Sequence, residues 1–266
     1  MDWSKAKTIL ILGFVALNLF LGFLLYGGHP AEDNTPAVSY QQAAEYLAGR
    51  GWQVYAPEPQ APETVMSLGF RPYAPDFDTV STAFFGPDVT PTVSRQEGEV
   101  PSATYSSGSS QLILNGYGVV FFYGDGSLHT AAADVLAAAA GELLPNLQQT
   151  TTGAFVQNHG GLRLSGTYVN LTQSKTAVQG YTQQLVEIQS ETKAGPCVSP
   201  ARAMLSAVQA LEEAAAAPTA IESLELCYWA PQLSVQSGQM VTVWQVGFED
   251  GHTILVNAAT GEVEAS

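Results

Sequence analysis

The sequence predicts an α+β fold: a single N-terminal transmembrane helix, then an extracellular region of antiparallel sheets with helices packed on one face, in two similar-sized halves. Three observations predict it. Residues 8–26, TILILGFVALNLFLGFLLY, form an apolar run without a charge, long enough to cross a bilayer as a helix. Beyond it, helical periodicity alternates with groups of β-branched and aromatic residues. Tight turns join consecutive strands, which requires antiparallel pairing. The chain is also 46% apolar, too rich for a disordered stalk.

The first element sets the topology. Lys5 and Lys7 precede the apolar run and Glu32 and Asp33 follow it. The basic side stays in the cytoplasm, so 1–7 is a cytoplasmic tail and 8–26 the membrane helix of a single-pass cell-membrane protein. Everything from 27 onward lies outside the cell. A cleaved signal peptide is the rival reading. Its apolar region is shorter and ends at a small-x-small site, whereas this run ends in Leu24, Leu25 and Tyr26, with Gly27 and Gly28 behind. No cysteine follows to carry a lipid. Asn18 is the strongly polar side chain of the run, and Gly22 sits one turn on. An amide facing lipid prefers another helix, and a glycine lets a backbone approach, so Asn18 and Gly22 mark a contact face for a partner helix. A lone tolerated amide is the plainer reading.

Residues 27–38, rich in Gly, Pro and acid, are a linker. The first extracellular half spans 39–128. Ser39 opens a helix in a capping-box pattern with Gln42, and Tyr40, Ala43, Ala44 and Leu47 form its stripe. Eight prolines between 57 and 101 exclude long helices. Short strands are expected at 53–55, 80–85 and 103–105. A hairpin follows, 111–114 and 118–123, with Asn115-Gly116 as its tight turn.

The second half spans 129–266. Thr130 caps a helix over 131–144 that Pro145 stops. Strands are expected at 162–171 and 181–189. Ser199 caps the next helix and Pro200 takes its first position; Met204, Val208, Leu211 and Ala215 form the buried stripe. A closing meander runs through 221–229, 241–248 and 252–256, with Asp250-Gly251 between the last two. The turns GDGSLHT and EDGHTIL resemble each other weakly, as two copies of one β-unit would.

The net charge is −15. The tail carries +1, which leaves about −16 outside. Nucleic acid and anionic lipid headgroups want clustered Lys and Arg and are poor partners. Cys197 and Cys227 can form a disulfide or stay as thiols, and both readings stand. The four histidines, His29, His129, His159 and His252, are scattered away from one another and from cysteine, so no metal spacing exists. No GxSxG, SxxK, HExxH, GxGxxG or phosphate loop occurs. Asp76-Phe77-Asp78 reads as a solvated loop with too few oxygens for calcium. Asn170-Leu171-Thr172 matches a glycosylation pattern. No catalytic residue, cofactor, metal or small-molecule substrate is expected. The remaining candidates are aromatics of the last meander, Tyr228, Trp229 and Trp244. Core packing is their default, and an exposed one would anchor a partner.

The opening MDWSKAKTILI with its membrane helix, and the ending VTVWQVGFEDGHTILVNAATGEVEAS, resemble the YycI (WalI) family; the related YycH family shares the layout. The residues concerned are Trp244 and Val246, then Asn257, Ala258, Thr260, Gly261 and Glu262, with the helix 200–217 leading into LELCYWAP. The N-A-x-T-G-E ending also recurs in PepSY-type domains. The likeness covers 1–26 and 195–266 and is vague over 50–110. It implies a non-catalytic, membrane-anchored regulator that binds a sensor histidine kinase of YycG (WalK) type, together with a YycH-like protein, in a two-component system controlling cell-wall metabolism. The alternative is an extracellular PepSY-type inhibitor or ligand-binding module.

Overall fold

The structure, a computed structural model, describes residues 14, 38–98, 100–124, 131–174, 177–217 and 219–265. Contacts divide the chain into Met1–Ser39 and Tyr40–Ser266. Apart from Phe14, the expected membrane helix 8–26 lies outside the described residues, as do Thr130, His29 and His129. Among the described residues no helix is long and apolar enough to cross a membrane.

In chain order the second unit comprises α1 (Tyr40–Ala48), β1 (Gln53–Val54), β2 (Thr64–Pro72), α2 (Phe77–Phe85), β3 (Thr92–Gln96), β4 (Ser102–Ser107), β5 (Ser110–Asn115) and β6 (Val119–Tyr123). Then come α3 (Ala132–Ala140), a 3-10 turn at Gly141–Asn146, β7 (Leu147–Gln149), β8 (Phe155–His159), β9 (Leu162–Leu164), β10 (Tyr168–Gln173), β11 (Val178–Gln184) and β12 (Val186–Pro196). It closes with α4 (Pro200–Glu213), β13 (Ala220–Trp229), β14 (Gly238–Phe248), β15 (Thr253–Asn257) and β16 (Val263–Ala265).

These strands join into one sixteen-stranded sheet, and it is mixed: β1 and β9 both run parallel to β13. The expected fold class is corrected on this point. The chain does not make antiparallel sheets in two similar-sized halves with helices on one face. It makes one large mixed sheet with few helices. Turn lengths disclose which strands are neighbours in sequence, but not which distant strands pair. Here β2 lies between β12 and β14, strands more than a hundred residues downstream.

Two cores flank the sheet. In one, α1 and α4 pack with Trp52 on Trp244, Val246, Ile254 and Val256. In the other, α2 and α3 cover Leu112, Leu114, Phe122 and Tyr181. A third, smaller cluster joins Leu68, Phe70, Leu164, Val186 and Tyr228.

Local chemistry explains several element ends. Ser199 accepts the Arg202 N–H at 3.2 Å and caps α4, with Pro200 at the first position. The segment expected as a strand at 80–85 is helical. Asp76 accepts the Thr79 N–H at 2.8 Å, and Asp78 pairs with Arg95 at 2.6 Å, so this pair is a helix start and not a loop. The Asn115 hairpin is wider than a two-residue turn. Asn115 Oδ1 accepts from Tyr117 and Val119 N–H at 3.0 and 3.1 Å, and Gly118 takes the positive φ of 76°.

Candidate functional site

Asn18 and Gly22 lie outside the described residues. The three aromatics of the last meander are placed by one strand pair. In the β13–β14 register Leu226 faces Trp244, Tyr228 faces Thr242 and Trp229 faces Val241. Side chains alternate along a strand, so Tyr228 and Trp244 share one side of the sheet and Trp229 takes the other. Trp244 is fully buried, and its indole N–H donates to the Val198 carbonyl at 3.0 Å. Its role is to hold α4 to the sheet. Trp229 is half-buried against Cys227, Val243 and Leu255. Tyr228, 5% exposed, lines a hollow.

That hollow has a volume of 410 Å³. Gln60, Ala61 and Pro62 form one wall, Thr64 to Met66 of β2 a second, and Gly160 and Leu162 of the β8–β9 turn a third; Leu226, Tyr228 and Thr242 make the floor. His159, in that turn, stands edge-on to Tyr228 with centroids 6.2 Å apart. Its Nε2 lies 2.7 Å from Glu191 Oε1. The Tyr228 phenol is raised above its ordinary range, first by burial and then by the Glu191 charge. Other polar groups nearby are spent on the fold: the Thr242 hydroxyl donates to the Met66 carbonyl at 2.6 Å, and the Ser67 hydroxyl to the Met240 carbonyl at 3.1 Å. The hollow is therefore lined mainly by apolar groups, with one His–Glu pair beside it. Spacing in the sequence gives no hint of that pair. Its members are 32 positions apart and meet only because β8–β9 folds over towards β12.

No thiol chemistry is poised there. Both cysteines are free. Cys227 faces the other side of the sheet, where burial pushes its thiol up to about 11. Burial also raises Cys197. A protonated thiol is a poor nucleophile and a poor ligand. Among the described residues no three His, Cys, Asp or Glu side chains gather as a metal site. His252 serves the turn of Asp250: its backbone N–H donates to Asp250 Oδ1 at 3.0 Å and its Nδ1 lies 2.9 Å from Oδ2. The hydrogen bond from the His252 ring is the main reason the Asp250 carboxyl sits below its ordinary range.

The N-A-x-T-G-E ending has a structural job. Asn257 Oδ1 accepts the N–H groups of Ala259 and Thr260 at 2.9 and 3.2 Å, and its carbonyl accepts from Gly261 at 2.8 Å. Gly261 has φ 79°, and a Cβ there would press on the Arg202 guanidinium at 2.8 Å. Arg202 donates to the Thr260 carbonyl at 3.3 Å, and the Val198 N–H to the Ala258 carbonyl at 2.8 Å. The turn from β15 to β16 is thus bonded to the start of α4.

No family model matches this chain, and no curated protein matches it. Among solved structures it is similar to an uncharacterized protein from Eubacterium rectale ATCC 33656. The TM-score is 0.56 at 10% identity, over 87% of this chain and 100% of that one. At that identity the likeness is one of fold.

Proposed function

We propose that this chain is a membrane-anchored, non-catalytic accessory regulator of a sensor histidine kinase. In this reading residues 8–26 hold it in the cell membrane, Asn18 and Gly22 face a kinase helix, and the domain from Tyr40 onward is presented outside the cell. A YycH-like protein is the expected co-partner, and cell-wall metabolism the process controlled. Binding there biases the kinase between signalling states, because a partner shifts an equilibrium by its differential affinity for the two states.

One observation supports this reading most. Within the stretch 195–266 that carries the YycI-like resemblance, the approach and start of the helix 200–217 are bonded to the ending 241–266: Trp244 to Val198, Val198 to Ala258, Arg202 to Thr260. Their shared pattern is the pattern of one structural unit rather than of two unrelated matches. The alternative, an extracellular ligand-binding module of PepSY type, draws on the hollow beside His159 and Tyr228.

The test is co-purification of the full chain with a histidine kinase encoded beside it. Replacing Asn18 and Gly22 with Leu should weaken capture about threefold, the worth of an average interhelical hydrogen bond in lipid. Undiminished capture would remove the contact face. Mature protein in the medium beginning near Gly28 would remove the anchor, and the regulator reading with it.

A further inference from the structure

Across β3–β6, β10 and β11, one face of the sheet carries no charge among the described residues. Opposite the side covered by α2 and α3, Ser94, Thr104, Ile113, Phe121, Thr182 and Asn170 lie side by side across six strands. The rows above and below, through Tyr123 and through Val119, also contain no Asp, Glu, Lys, Arg or His. The chain has 24 acidic and nine basic residues, so such a face is not its ordinary surface. Ile113, Phe121 and Tyr123 stand on it with 37, 44 and 59% of their surface exposed. The residue paired with Tyr123 is Gly180, followed by Thr172 on the next strand. The side chain missing at Gly180 leaves a hollow of 420 Å³ lined by Tyr123, Gly124, Thr172, Gln179 and Gly180.

We propose that this face binds a neutral polysaccharide. Tyr123 and Phe121 act as stacking platforms, and one hexopyranose ring sits in the hollow over Gly180. A sugar ring has an apolar C–H face that packs on an aromatic ring, and hydroxyls that both donate and accept. The Ser, Thr, Asn and Gln side chains around the aromatics are matched to those hydroxyls and demand no charge. Phe121 and Tyr123 are two residues apart on β6, about 7 Å along the strand, and so offer two contacts to an extended chain. Other occupants fit less well. An anionic polymer is repelled by the net charge and meets no cation among the described residues of the face. A protein interface core is poor in Ser and rich in large anchors. Two copies of this flat face would bury rows of hydroxyls and amides without assured partners. The proposal goes beyond the kinase reading and does not rest on it.

The experiment is calorimetric titration of the full chain, in a detergent without a sugar headgroup, with cellohexaose, chitohexaose and anionic oligogalacturonate. At least one neutral oligomer should bind and the anionic one should not. Tyr123→Ala should weaken binding about tenfold, the worth of one aromatic stack, whereas Tyr123→Phe should retain it. Gly180→Val should abolish it by filling the hollow; a Cβ there meets Thr172 at an ordinary 3.5 Å, so the fold is kept, which a melting curve verifies. Four results would overturn the proposal: no heat with either neutral oligomer, binding indifferent to Tyr123→Ala and Gly180→Val, equal binding of oligogalacturonate, or a sugar-insensitive dimer that Phe121→Ala dissociates. The last would make the face a contact between copies.

Discussion

Gln157 shows how one buried polar residue keeps this sheet together. The chain leaves β11 at Leu185 and continues as β12, which pairs with β2. At Val186 the far edge of β12 is buried, where an unpaired backbone group is costly. The Gln157 carboxamide takes both roles of a missing strand: its Nε2 donates to the Val186 carbonyl at 2.7 Å, and its Oε1 accepts the Val186 N–H at 3.1 Å. Gln157→Leu keeps the bulk and strands two buried groups. It should therefore cost about 3 kcal/mol, from about 1–3 for each orphaned group, read as a lower urea midpoint with an unchanged slope. A loss below 1 kcal/mol would mean that water or a shifted strand replaces the amide. Nothing local marks Gln157 in the sequence, since a glutamine in a strand usually points to solvent. The same holds for His159, set aside for want of a neighbouring ligand, and for Phe121 and Tyr123, read only as strand formers. Tyr228 could be singled out as an aromatic, but its hollow is assembled from four distant segments.

At the scale of an element, α2 shows which signals were legible. FDTVSTAFF is rich in β-branched and aromatic residues, so propensity favours a strand. The helix start is nonetheless written in Asp76, which accepts from Thr79, and its end in Gly86, with φ 84° and its N–H on the Thr82 carbonyl at 2.9 Å. Tertiary packing then fixes the outcome, since Phe84 and Phe85 both pack on Phe122, at 4.6 and 6.1 Å. By contrast α4 could be read directly, because cap, proline and apolar stripe all agree there. Asp76 also carries a pH signature. Hydrogen bonds from the Thr79 hydroxyl, then from its backbone N–H, hold its carboxyl below the ordinary range. A depressed carboxylate contributes stability that is present above its unfolded pKa, about 4, and is lost as pH falls through the lower folded value. Asp76→Ala should cost about 1 kcal/mol at neutral pH, with the deficit shrinking below pH ~4. Asp76→Asn keeps the cap and should remove only the pH dependence. A deficit that stays constant down to pH 2 would separate the cap from the titration.

Across the whole molecule, the decisive feature is that sheet order ignores sequence order. β2 comes early in the chain yet pairs on one side with β12 over nine residue pairs and on the other with β14. Two guanidinium nitrogens of Arg71 on β2 donate to the carboxylate of Glu187 on β12, the residue facing it in register, at distances down to 2.8 Å. β8 is joined to β10 on one side and, through its turn, to β9, which runs beside β13. The core under α2 and α3 and the core under α1 and α4 are thus tied by shared strands rather than by a hinge. Unfolding should then be one cooperative event, and the aromatic residues make this measurable. Trp52 and Trp244 report on the α1/α4 core and Trp229 on the opposite face of the same strand pair, while Tyr105 and Tyr181 are buried in the α2/α3 core. With Trp3 replaced by Phe, tryptophan fluorescence and the tyrosine band of near-ultraviolet circular dichroism should give the same urea midpoint and slope. If the tyrosine signal were lost first, the strands linking the cores would be acting as a tether. The register of β2 argues against a tether, because both of its edges are held, one by β12 and the other by β14.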